Sequence, residues 1–131
     1  MSQISQPASF PAGRLTVRPV RAARRLQSWE GEAIVFSGNT DCYQPLEASY
    51  GLTRACLEVC ADYRNPAGII TKGALVVRDL DVLMRLHRTA WTRVYFSIPF
   101  ADEGIARAME PHAPSINKRF EIMKALSDAG I

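Results

Sequence analysis

The sequence predicts an α/β fold made of consecutive parallel βα units, an incomplete (β/α) barrel of the partial TIM type. Three observations predict it. Three short apolar runs, Ala33–Phe36, Ala67–Ile70 and Arg93–Ile98, alternate with segments of helical periodicity. That alternation means parallel strands joined by right-handed helical crossovers. The chain has 131 residues, whereas a complete (β/α)₈ barrel takes about 250, so three to four units are expected, about half a barrel.

The elements follow in order. Residues 1–26 are expected to form a basic, partly disordered N-terminal arm, and residues 27–131 the βα units. Met1–Gly13 is polar and interrupted by Pro7, Pro11 and Gly13. Arg14, Arg18, Arg21, Arg24 and Arg25 all precede the first acidic residue, Glu30. This stretch reads either as an organelle transit peptide or as a short strand at Leu15–Val17 and a helix at Val20–Leu26 with a solvated basic face. The first apolar run ends in the turn-prone Ser37-Gly38-Asn39-Thr40-Asp41. Pro45 suits the first turn of a helix, and Leu46, Tyr50, Leu52, Cys56, Val59, Cys60 and Tyr63 carry its face to a stop near Asn65-Pro66. The second run ends in Thr71-Lys72-Gly73 and leads into a helix from Arg78 to His87, with Asp79 and Asp81 at its positive end. The third run closes at Pro99. A short helix, Asp102–Met109, follows, and Pro111 and Pro114 break it. Ser115 reads as the N-cap of a last helix whose apolar face holds Phe120, Ile122, Met123 and Leu126, with Gly130 as its C-terminal cap. An Ala-Gly-Ile ending after a helix commonly leads to another strand, so the chain reads as truncated.

Composition bounds the function. Hydrophobic residues make up 47% and charged residues 22%, enough to bury a core. No apolar run approaches the roughly 20 residues of a membrane helix, so no membrane association is expected. Three cysteines do not make a disulfide scaffold, and a cytoplasmic location is the expectation. A net charge of +3 is compatible with a nucleic-acid partner.

Parallel α/β folds bind ligands at the carboxyl ends of their strands. Ser37–Tyr43, Thr71–Gly73 and Ser97–Phe100 fall there. Gly38, Asn39, Thr40 and Asp41 offer open backbone, amide, hydroxyl and carboxylate to a ligand's ammonium or hydroxyl groups; the plainer alternative is an Asx turn. Lys72 either holds an anionic group or is solvated. Arg119 either pairs a ligand carboxylate in bidentate fashion or forms a surface ion pair with Glu110 or Glu121. Cys56 and Cys60, four apart on a helix, are expected to be buried and inert, whereas Cys42 lies in the candidate loop and is open to oxidation. His87 and His112 show no ligand spacing, so no metal ligands are assigned.

Several segments together resemble radical S-adenosylmethionine (SAM) proteins, in particular the spore-photoproduct-lyase-related branch connected with DNA repair. They are Ser37–Glu47 (SGNTDCYQPLE), Leu52–Glu58 (LTRACLE), Gly68–Lys72 (GIITK), Arg78–Asp81 (RDLD), Glu110–Ser115 (EPHAPS) and the terminal ALSDAGI. The resemblance runs from about Trp29 to Ile131 and implies a partial (β/α)₆ barrel. It also implies a [4Fe–4S] cluster held by a CxxxCxxC loop, and SAM cleaved to a 5′-deoxyadenosyl radical. It places Gly38, Asn39, Thr40 and Asp41 near the methionyl amino group of SAM. Thr71 and Lys72 come near the ribose, Ser97 at the following strand end, and Arg119 facing the SAM carboxylate. The family usually carries Ser where Gly73 stands. The CxxxCxxC loop is absent: Cys56 and Cys60 have Tyr63 where a third cysteine would fall. Without three thiolates no iron is left open to SAM, so the resemblance implies SAM and a [4Fe–4S] cluster in longer family members, with neither stably bound here.

Three functions are therefore expected to compete. One is a fragment of a radical SAM enzyme, inert alone. Another is a basic half-barrel that binds nucleic acid or a nucleotide. The third is a structural half-barrel that self-associates, or meets a complementing chain, through exposed sheet edges.

Overall fold

Each apolar run forms a strand. The computed structural model describes residues 30–131; the arm expected over residues 1–26, with its strand and helix, lies outside them. Strands β1 (Ile34–Phe36), β2 (Ala67–Thr71) and β3 (Thr92–Phe96) are all parallel, in the order β1–β2–β3. Val35, Gly68 and Arg93 share one row of the register, and Thr71 pairs with Phe96. The α/β alternation stands, but the expected incomplete barrel does not form. Among the described residues the three strands make an open sheet with an unpaired edge on β1 and another on β3. The physical reason is number: closing a sheet on itself takes about eight strands with a staggered register.

The first predicted helix divides in two, α1 (Glu47–Tyr50) and α2 (Leu52–Asp62). Gly51 lies between them at φ +59°, a left-handed backbone that glycine adopts without steric cost. The second predicted helix starts as a 3₁₀ turn (Ala74–Asp79) and becomes α3 (Leu80–Thr89). Helices α4 (Glu103–Met109) and α5 (Ile116–Asp128) follow. Both are capped by side chains: Asp102 accepts from the Ile105 N–H, and Ser115 from the Lys118 N–H. Helix α5 closes in a Schellman motif, with Gly130 at φ +84° donating to the Ser127 carbonyl and Ile131 to that of Leu126.

One face of the sheet carries the core. Ala67, Ile69 and the partly buried Ile34, Phe36, Val94 and Phe96 pack against Leu57, Cys60, Val76, Leu83, Leu86, Ile122 and Leu126 from the helices. The apolar face expected for the last helix is rotated: Phe120 and Met123 are exposed, and Arg119, Ile122 and Leu126 form the buried stripe. A stripe that includes an arginine is invisible to an apolar-periodicity test.

Leu83 is fully buried at the centre of this core. Leu83→Ala is expected to lower unfolding free energy by about 2–5 kcal/mol, whereas Ile105→Ala, at an exposed position, should stay within about 0.5 kcal/mol of the parent. Urea unfolding followed by circular dichroism measures both.

Candidate functional site

Parallel strands bring all three carboxyl ends to one rim, so the segments after β1, β2 and β3 meet there. Ser97 N–H donates to the Thr71 carbonyl at 3.0 Å, extending the β2–β3 pairing to the rim. Gly38, Asn39 and Thr40 form the exposed tip of the first loop. Ser37 enters that loop at φ +80°, and its hydroxyl accepts from the Cys42 N–H at 2.9 Å.

Asp41 turns inward. Its Oδ1 accepts from the Tyr43 N–H (2.8 Å), which is the Asx turn, and from the Thr71 hydroxyl (2.7 Å). Its Oδ2 accepts from the Lys72 N–H at 2.9 Å. One carboxylate thus ties the loop after β1 to the end of β2. The Thr71 oxygen also accepts from the Gly73 N–H at 2.9 Å. Gly73 itself is extended (φ −78°), so glycine is required there for space. A Cβ would stand 2.9 Å from both the Cβ and the carbonyl oxygen of Tyr43.

The next connection runs through Glu110. Lys72 Nζ donates to its Oε1 and Arg119 Nη2 to its Oε2, the latter at 2.8 Å. Arg119 is 1% exposed. It also donates from Nε to the Pro114 carbonyl (2.9 Å) and from Nη1 to the Ser97 carbonyl (2.8 Å). The arginine expected to face a ligand carboxylate therefore lies behind the rim as a positioning residue. It pins Glu110 and the end of β3; the Glu110 pair of the alternative reading does form, but part-buried instead of on the surface. Lys72, by contrast, remains about one-third exposed at the rim. The Lys72 hydrogen bond first, and Arg119 with it, hold the Glu110 carboxyl below its ordinary range. Beside this triad a cleft of about 180 Å³ opens between α4 and α5, bordered by Glu103, Arg107, Glu110 and Ser115.

A second polar network, centred on Asp79, was not legible as a unit. Asp79 is 0% exposed. It accepts from the Tyr43 hydroxyl (3.1 Å), from Arg54 (3.2 Å), and from Arg78 through two bonds of 2.8 and 2.9 Å. Arg78 also reaches the Glu47 carboxylate at 3.0 Å, and Glu47 caps α2 by accepting from the Leu52 and Thr53 N–H groups. Burial first, and the neighbouring Asp79 charge after it, push the Tyr43 phenol above its ordinary value, so it stays a donor. At the surface end, the two Arg54 bonds hold Asp81 down to about 2. The segments Ser37–Glu47, Leu52–Glu58 and Arg78–Asp81 thus meet in one buried network. Their available signal was a set of charges on otherwise apolar helix faces.

The cysteines do not form a cluster site. Cys56 and Cys60 are buried on the core side of α2, and burial raises the Cys56 thiol. Cys42 is half-buried, with its thiol raised by burial, which disfavours the thiolate needed for oxidation or iron ligation. Among the described residues no group of three His, Cys, Asp or Glu side chains could hold a metal. The thiolate set of a [4Fe–4S] cluster does not fit these residues.

Three outcomes follow. Gly73→Ser should destabilise by about 1–3 kcal/mol through the clash with Tyr43, read by thermal melting. Asp79→Ala, which strands two arginines and a buried phenol, should cost about 3–5 kcal/mol, read by urea unfolding. The Glu110 carboxyl is depressed in the folded state, so its stabilisation is complete above its ordinary value of 4.5 and is lost as pH falls through the depressed value. Glu110→Gln should therefore flatten the acid limb of a stability–pH curve, while lowering stability near neutrality.

No family model matches the chain, and no solved structure matches it. An uncharacterised protein of Mycobacterium tuberculosis is 30% identical over 112 residues, which are 86% of this chain and 33% of that protein. An uncharacterised protein of Methanocaldococcus jannaschii is 33% identical over 98 residues, 75% of this chain and 36% of that protein. An uncharacterised protein of the Acidianus two-tailed virus is 31% identical over 107 residues, 79% of this chain and 33% of that protein. The chain spans about a third of the length of these relatives.

Proposed function

We propose that the chain is the ligand-rim segment of a radical SAM-type protein: it contacts part of SAM and performs no radical chemistry by itself. The observation that carries this reading is convergence. Asp41, Thr71, Lys72, Ser97, Glu110 and Arg119, from segments that resemble the family, join in one hydrogen-bonded path along the carboxyl ends of three parallel strands. In such folds that rim is where ligands bind. The division of labour within it is specific. Asp41, Thr71, Glu110 and Arg119 position the rim. Gly38, Asn39 and Thr40 keep exposed groups that can meet a ligand, and Lys72, half-buried and paired with Glu110, borders them. Radical chemistry in the family draws its electron from the cluster, and the described residues offer no ligand set for one. The 33–36% coverage of the relatives agrees with a segment of a larger machine.

Isothermal titration with SAM tests the reading. The chain is expected to bind weakly, without a cluster iron to chelate SAM. Asn39→Ala and Thr40→Ala are each expected to weaken binding about 2–10-fold with unchanged melting temperature, the effect of one lost hydrogen bond. Lys72→Met is expected to weaken it by a similar factor while also lowering the melting temperature through loss of its pair with Glu110. Absence of binding, or binding that ignores all three changes, removes the proposal. Anaerobic reconstitution with iron and sulfide should leave no stable [4Fe–4S] spectrum; a stable cluster that cleaves SAM would refute the claim of inertness.

A further inference from the structure

Among the described residues, two that are not glycine take a positive φ: Arg64 at +52° and Ser37 at +80°. Arg64 follows the end of α2, where a left-handed residue is an ordinary way to stop a helix. Ser37 has no helix to stop. It stands at the carboxyl end of β1, at the entry to the rim loop, in a conformation that costs free energy for any residue with a Cβ. Its neighbour Gly38 could turn there without that cost. Gly38 does not take a left-handed φ, however, and a Cβ on it would meet open space. The turn is carried by the serine, one residue ahead of the glycine.

The serine hydroxyl supplies a reason. Its Oγ accepts from the Cys42 N–H, five positions on, at 2.9 Å. That bond closes a small ring around Gly38, Asn39 and Thr40. The far side of the ring is already fixed. Asp41 accepts from the Thr71 hydroxyl and the Lys72 N–H at the end of β2. The Cys42 carbonyl accepts from the Thr53 hydroxyl of α2 at 2.8 Å. The Tyr43 hydroxyl donates to Asp79. Three consecutive residues are thus tied to three separate elements, and Ser37 ties the near side of the tip to them. Glycine at position 37 would remove the strain and the tie together.

We infer that Ser37 is a positioning residue for the rim: its left-handed backbone, held by the bond from Cys42, presets the exposed tip Gly38–Thr40 for a ligand that Ser37 itself does not touch. The inference rests on the SAM reading and adds to it a residue which that reading leaves unused. Ordering the tip in advance removes part of the entropy cost of fixing it on binding.

Ser37→Gly separates positioning from simple support. Relief of strain and loss of one hydrogen bond oppose each other, so its melting temperature is expected within about 2 °C of the parent. Ser37→Ala keeps the strain and loses the bond, and is expected to melt about 3–6 °C lower. Both should weaken SAM binding about 3–10-fold in isothermal titration. Without ligand, the Cys42 amide of Ser37→Gly should exchange with deuterium about tenfold faster than in the parent, while core amides keep their rates. Ser37→Gly combined with Asn39→Ala should lose less affinity than the product of the two single losses, because both act through one tip. Full affinity in Ser37→Gly overturns the inference, as does a Cys42 amide that exchanges no faster. Multiplicative losses in the double variant make Ser37 a ligand contact in its own right and overturn it too. So does a melting temperature that falls as far in Ser37→Gly as in Ser37→Ala, the mark of a merely supporting role. A parent chain that does not bind SAM removes the underlying reading and the inference with it; a parent that binds while Ser37→Gly binds equally well removes the inference alone.

Discussion

The carboxylate of Asp79 ties together three parts of the chain that lie far apart in sequence. It is wholly buried, and burying an ion is costly unless its lone pairs are filled. Tyr43, Arg54 and Arg78 fill them. Tyr43 comes from the loop after β1, Arg54 from α2, and Arg78 from the 3₁₀ turn that precedes α3. Through Arg78 the network extends to Glu47 and the start of α2. Each partner is thereby confined to one position, and the loop that carries the candidate ligand groups inherits that position from Tyr43.

The rim depends on this arrangement. Tyr43 packs so closely over the end of β2 that residue 73 has no room for a side chain. Asp41, two residues before it, reaches Thr71 and Lys72 across the same gap. The chain of contacts then runs through Lys72 and Glu110 to Arg119, which anchors the end of β3. Every step is a charge-assisted or fully engaged hydrogen bond, the kind that fixes geometry most strongly. The groups left exposed, Gly38 to Thr40, are framed by others whose capacity is already engaged.

The sheet shows the reverse economy. Its helix-covered face is well filled, while its other face and both edges are left without a covering element among the described residues. A sheet of three strands cannot close on itself, so the parallel βα order is present without the barrel that the sequence led one to expect. The relatives are about three times as long as this chain, and Val35, Ile70, Trp91 and Tyr95 stay exposed on the uncovered face.

Element order, the parallel sense of the strands and the location of the rim were legible in the sequence, because they follow from local periodicity and from the handedness of βα crossovers. Ser115 and Gly130 were legible for the same reason: caps are local chemistry. Which polar side chains face a ligand and which face one another was not. Asp41 and Arg119 carry the residue types of a ligand site, yet the structure spends both on holding strand ends together. The division of the first helix at Gly51, the buried stripe that includes Arg119, and the open sheet were likewise tertiary decisions. The physical reason is common to all of them. Burial sets what a charge must pair with, and burial is a property of segments brought together from distant positions, which no window along the chain contains.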